Sequence, residues 1–336
     1  MNRIYINGYG LNLAEITNSK ELLELVGHNE KLQYYSVPDL EQLGSQRKYR
    51  RYDRFSLLIE KSMLSLFGGK SYEEDEQMSF RTGSVINTSY GCLDTNINFI
   101  DEINDSISQI SPILFAHTVY NAALGHMCQN YKLRGPSTMV LSSNYIFIAM
   151  QMLKENRVKY CYAGGAEIYI KELYEYLKKK NIIFRECSCI LKLCSEIEED
   201  TIGEIVDFSE CNFFGHPYIG DEEISKQKIL QNIEGLLERN QLEAKDISFT
   251  VASSLYGSGY KEEEQAFSEK LKGVEAVSII NNIGETLGAS LGVSILYAVE
   301  KLKLQGKEFA LVNNFDIGGN YVTYLVKSVK KVDHNV

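Results

Sequence analysis

The chain has no CxxC pair, and none of its 5 histidines stands at zinc-ligand spacing, so a structural zinc site and a dithiol redox centre are not expected. Its 7 cysteines (Cys92, Cys128, Cys161, Cys187, Cys189, Cys194 and Cys211) are odd in number and sit mostly inside apolar runs. They read as buried reduced thiols. There is no Lys/Arg-rich stripe. The nearest approaches, Arg47 to Arg51 and Lys178 to Lys180, are short, and the net charge is −10. Nucleic-acid binding, which needs clustered cations, is therefore unsupported. The acidic balance also argues against docking on anionic lipid. No apolar run reaches transmembrane length, and MNRIYINGYG lacks the charged start and apolar block of a signal peptide. A cytoplasmic protein is expected, with no nucleic-acid or membrane partner, no metal and no cofactor.

What is present is ordinary globular composition, 44% hydrophobic and 24% charged over 336 residues. Alternation marks a short strand at residues 3–7, closed by Gly8 and Gly10, with a helix over 12–26. Residues 27–51 are polar and irregular. Residues 52–67 carry helical apolar spacing and end at Gly68-Gly69, a C-cap signal. A strand at 83–89 and an amphipathic helix at 94–110 follow, the helix stopped by Ser111-Pro112. The helix after Asn144 is apolar on nearly all sides and should be central. A strand at 158–163 ends on Gly164-Gly165.

The second half repeats this grammar. Strands are expected at 246–253, 274–280, 309–315 and 321–326, with helices at 262–271 and 285–304. LKENRVKYCYAGG and LKLQGKEFALVNN align without gaps over their first part. A duplicated α/β domain is the inference, with halves 1–198 and 199–336 joined near the acidic run SEIEEDTIGE.

Seven segments in order resemble the β-ketoacyl synthases of the thiolase-like fold: RIYINGYGLN, RRYDRFSLLIEKSML, GSVINTSYGCLDT, SPILFAHTVYNAALGH with LRGPSTMV, YCYAGGAE, NNIGETLGASLG and NFDIGGNYVTYLV. The resemblance implies a five-layered α/β/α/β/α fold from two duplicated halves, with inner helices starting at Asn144 and Glu285. It also implies a reaction. A cysteine thiolate at the N-terminus of a buried helix takes an acyl group, and two histidines help decarboxylate a malonyl unit.

By the same resemblance, the cysteine position falls on Asn144, the first histidine on Tyr256 and the second on Glu285. The lysine that precedes the second histidine is Ile280, and the glycine-loop phenylalanine is Ile317. An amide forms no thioester. Tyrosine, with a reference pKa of about 10, is no base at neutral pH. A carboxylate at Glu285 would repel the malonyl carboxylate. No catalytic residue is therefore assigned. An amide at the cysteine position marks decarboxylating or chain-length subunits, and the decarboxylating kind keeps its histidines. The expectation is a chain-length-factor-like subunit that pairs with a catalytic ketosynthase through the region 136–150 and encloses a tunnel for a polyketide or polyene chain. FAHTVYNAALGH most resembles partners in aryl-polyene pathways. Acyl carrier protein is the further expected partner, meeting basic residues mostly on the catalytic subunit.

Phe115, His117, Asn121, Ser143 and Ile317 are the tunnel or interface candidates. Ser143 reads either as a serine nucleophile or as a helix N-cap. His117 and His126, nine apart, read as a shifted catalytic histidine or as residues of a pocket rim or interface. Two other functions stay open: a serine-dependent acyltransferase or thioesterase using Ser142 or Ser143, and a homodimeric scaffold that binds an acyl ligand without turnover.

Overall fold

The computed structural model describes residues 3–68, 75–105, 111–142, 144–213, 224–253 and 258–329. In chain order the first half contains β1 (Ile4–Leu13), α1 (Ser19–Gly27), α2 (Leu40–Ser45), α3 (Arg54–Phe67), α4 (Glu76–Phe80), β2 (Thr82–Thr88), α5 (Leu93–Asp105), α6 (Pro112–Ala116), α7 (Asn121–Tyr131), β3 (Ser137–Leu141), α8 (Tyr145–Lys154), β4 (Tyr160–Glu167), α9 (Lys171–Lys178) and β5 (Cys187–Cys194). The second half contains β6 (Gly203–Asn212), α10 (Lys226–Arg239), β7 (Ile247–Val251), α11 (Ser258–Lys270), β8 (Glu275–Val277), α12 (Ile280–Ile283), α13 (Ser290–Gln305), β9 (Phe309–Phe315) and β10 (Asn320–Ser328). The expected seam at 198/199 falls in the connection between β5 and β6.

Among the described residues the strands form one ten-stranded sheet in the order β3-β2-β4-β5-β1-β6-β10-β9-β7-β8. Read outward from the central β1–β6 pair, one side runs β1, β5, β4, β2, β3 and the other β6, β10, β9, β7, β8. The two orders match strand for strand, and so do the pairings. β2 is parallel to β3 and β4, and β7 is parallel to β8 and β9, while β5 and β10 are antiparallel to their neighbours. This is duplication expressed as topology.

Three apolar cores give the layers. The central core takes α8 and α13 together with Cys161 and Ala163 of β4, Cys189 and Leu191 of β5, and Ala310 and Val312 of β9. An outer core on the first half takes α3 and α7 with Tyr162 and Ile190. An outer core on the second half takes α10 and α11 with Leu311 and Phe315. Side chains alternate along each strand, so each half of the sheet turns one face to the shared central core and the other to its own outer core, and helices and sheet halves alternate in five layers.

The structure moves several expected boundaries. β1 does not stop at its glycines but runs to Leu13, so the first helix begins only at Ser19. Gly8, at φ +145°, sits where the β1–β5 register shifts. Gly10 lets α3 cross, because a Cβ there would lie 2.0 Å from the Ser62 carbonyl oxygen. The second inner helix starts at Ser290 rather than Glu285. A 3-10 turn at Leu287–Ala289 intervenes, and Glu285 itself bridges to Phe184. α3 ends as expected and begins two residues later, at Arg54: the Asp53 side chain accepts the Ser56 N–H at 3.0 Å, and Gly68 closes the helix at φ +56°.

Candidate functional site

The sequence aims at the start of α8. There the chain leaves β3, takes a left-handed conformation at Ser142 (φ +45°) and enters the helix at Asn144. Asn144 is buried and caps α8, its Oδ1 accepting the Phe147 N–H at 3.3 Å. The same oxygen accepts the Tyr324 hydroxyl at 2.5 Å, and Nδ2 donates to Glu210 Oε2 at 3.0 Å. Tyr324 is fully buried, and burial pushes its phenol well above the usual range, so it stays a donor. Both ends of the Asn144 amide are therefore engaged.

The start of α13 lies against the same place. A Cβ on Gly292 would come within 2.8 Å of Tyr145 Oη, so the first turns of the two inner helices touch. Glu285 is buried, and its Oε1 accepts the N–H groups of Thr286 (2.9 Å) and Leu287 (2.7 Å). Its backbone bonds to Ile183 and Arg185 on the connection before β5. The carboxylate thus closes the turn that leads into α13. Beside it, bordered by Ser253, Ile283, Thr286, Ser290 and Asn314, the cavity is about 20 Å³. That is room for one water and not for an acyl chain.

The glycine turn between β9 and β10 closes over Ser142. Asn320 Nδ2 reaches the Ser142 carbonyl at 3.4 Å, and a Cβ on Gly318 would stand 2.9 Å from that oxygen. Asp316 organises the turn by accepting the Gly318 N–H at 2.8 Å, and burial pushes its carboxyl up to about 6. Ile317 is half-buried and packs against the first-half outer core. Ser142 Oγ has Ser89 Oγ at 3.4 Å. Ser143 and Tyr256 lie outside the described residues.

The remaining candidates lie on α6 and α7. Phe115 is 62% exposed and stands 5.6 Å from the Phe99 ring. Asn121 is exposed at the first position of α7. His117 is buried, with Nδ1 3.6 Å from Asp53 Oδ1. His117 and His126 do stack, at 5.2 Å, because the chain turns between α6 and α7. A spacing of nine in one straight helix would keep them apart. His126 stacks in turn on Tyr52 at 4.1 Å, and burial, then the neighbouring His117, lowers its pKa.

The sequence reading missed Tyr324 and Glu210. A signal for Tyr324 existed: in NYVTYLV it alternates with Val322 and Val326, which face the central core. Among the described residues no helix is long and apolar enough to cross a membrane.

With this geometry in place, comparison with known proteins is direct. Residues 34–187 match the family described as Beta-ketoacyl synthase, N-terminal domain. A search of curated protein sequences finds no match. Among solved structures, the chain is similar to one titled "The ishigamide ketosynthase/chain length factor", with a TM-score of 0.82 at 15% identity, covering 98% of this chain and 100% of that one. It is also similar to a β-ketoacyl synthase from Burkholderia phymatum STM815, at 0.78 and 17%, covering 98% and 100%. A third is titled "AntDE:AntF (apo): type II PKS acyl-carrier protein in complex with its ketosynthase bound to the hexaketide", at 0.78 and 13%, again covering 98% and 100%. The fold is thiolase-like. Over residues 34–187 the chain is similar to β-ketoacyl synthases, and in fold it is similar to ketosynthases and to a ketosynthase/chain length factor.

Proposed function

We propose that this chain is a chain-length-factor-like subunit, not catalytic by itself, which pairs with an active β-ketoacyl synthase to elongate and size a polyketide or polyene acyl chain. The observation that carries the reading is Asn144. At the helix start where this reaction needs a thiolate stands an amide, tied at both ends to Tyr324 and Glu210. Glu285 supports it, since its carboxylate is committed to a turn beside a space too small for an acyl group.

The pairing surface has physical support as well. β3 is an edge strand, and near its end Leu141 is 51% exposed. Ile113, Phe115 and Val119, on and just after α6, are exposed too. Unpaired strand edges and apolar side chains of this kind are what a partner covers. Acyl carrier protein, the second partner, is acidic. The densest cationic feature here is the turn before α3, where Arg47, Lys48, Arg50 and Arg51 are all exposed on a chain of net charge −10.

The test is native mass spectrometry after co-expression with an active ketosynthase encoded beside it. A one-to-one heterodimer, with chain elongation that needs both subunits, is the expected result. A stable homodimer that ignores the ketosynthase, or elongation by the purified chain alone, would sink the reading.

A further inference from the structure

The basic turn is held by an unusual anchor. Of residues 46–51, five are exposed and one, Tyr49, is buried. Two successive tight turns (Tyr49 N–H to the Gln46 carbonyl, Tyr52 N–H to the Tyr49 carbonyl) leave the Tyr49 ring pointing inward. Its hydroxyl donates at 2.9 Å to Glu60 Oε1, in the middle of α3. Glu60 is 1% exposed. It also accepts the Tyr131 hydroxyl at 3.0 Å and the Asn130 amide at 2.9 Å, both from α7. Lys48 of the turn approaches it at 3.9 Å and lies over the Tyr49 ring.

A buried carboxylate is expensive. An apolar side chain at position 60 would fill the α3 face without that cost. What the acid adds is attachment, since it ties the 47–51 turn to α3 and α7 through three donors and one cation. The ties leave Arg47, Arg50 and Arg51 unengaged, because among the described residues none of them forms an ion pair. Unrestrained, such a run of long side chains would have to be ordered on binding, at an entropic cost.

We infer that Glu60, acting through Tyr49, is a positioning residue that pre-organises the 47–51 turn for an acidic carrier protein. The inference rests on the proposed reading of this chain as part of a carrier-recognising pair. Glu60 touches neither carrier nor acyl group. It fixes the backbone from which the arginines extend.

The experiment titrates the heterodimer with holo acyl carrier protein at several salt concentrations, followed by fluorescence anisotropy. Tyr49→Phe keeps the ring and removes the bond to Glu60. It should weaken binding about 3- to 10-fold, the worth of one hydrogen bond, while the salt dependence and the pairing with the ketosynthase stay as in wild type. Glu60→Gln, which keeps one acceptor oxygen, should fall between the two. Arg50→Glu with Arg51→Glu should weaken binding further and flatten the salt dependence. If the charge reversal weakens binding and Tyr49→Phe does not, the positioning role is overturned while the carrier surface stands. If the charge reversal has no effect either, the turn is not a carrier surface and both ideas fall.

Discussion

A thiolate at the start of a buried helix is held by the helix dipole and by free backbone N–H groups. An amide there needs different neighbours, and Asn144 has them. A phenol donates to its oxygen and a carboxylate accepts from its nitrogen. The residue is a joint between α8, β10 and β6. Asn144→Ala should therefore act on stability rather than on chemistry. It strands the buried Tyr324 hydroxyl and removes a helix cap, at a cost of about 1–3 kcal/mol. Urea unfolding should show that loss, while elongation by the proposed heterodimer stays near wild type. A collapse of activity in a well-folded variant would mean that Asn144 does chemistry after all.

At the scale of elements, α6 and β3 carry the pairing argument. Phe115 and Leu141 gain little from this chain's own core. Phe115→Asp should leave the thermal midpoint of the lone chain nearly unchanged, since exposed positions move stability by roughly 0.5 kcal/mol. It should still abolish the proposed heterodimer in native mass spectra. Retained pairing would place the interface elsewhere. Elements also show what a single sequence yields. α3 was legible because its apolar spacing is helical and its C-cap is a glycine. β5 and β6 were not assigned as strands. CSCILKLC is covered on both faces, so it shows no alternation of apolar and polar residues. GEIVDFSECN breaks alternation at Ile205-Val206 and follows directly on an acidic run, so its start reads as linker. The late start of α13 was invisible for another reason. Small residues such as Gly288 and Ala289 suit a helix, but Glu285 is drawn into a bridge with Phe184, a contact that only the fold creates.

For the whole molecule, duplication was the most legible property. Leu153 and Leu302, matched in the aligned segments, both lie near the ends of inner helices, and Tyr160 and Phe309 both open strands. Repetition survives in sequence because each half must bury the same faces. The two halves share the central core, and acid groups sealed inside the fold add a pH dependence to its stability. Glu167 and Glu263 are fully buried, and burial pushes each carboxyl up to about 7. In the unfolded chain a glutamate titrates near about 4.3. The folded state therefore holds protons that the unfolded state releases, and stability falls as pH rises toward the folded pKa. Between pH 6.5 and 8 the loss should be of the order of 1 kcal/mol for each group. His126, whose pKa is lowered, works in the opposite direction; its unfolded form is still half protonated at pH 6.5, so in the lower part of this window it offsets a smaller share of the decline. Glu263 accepts from the Ser253 N–H and the Tyr321 hydroxyl, and glutamine can replace it with one acceptor oxygen intact. Urea midpoints of the wild type should decline across that window. Glu263→Gln should remove about half of the decline, because Glu167 supplies the rest. A wild-type midpoint that is flat or rising would mean that these carboxyls ionise in the folded protein as readily as in water. An unchanged slope in the variant would remove Glu263 from the account and leave Glu167 alone.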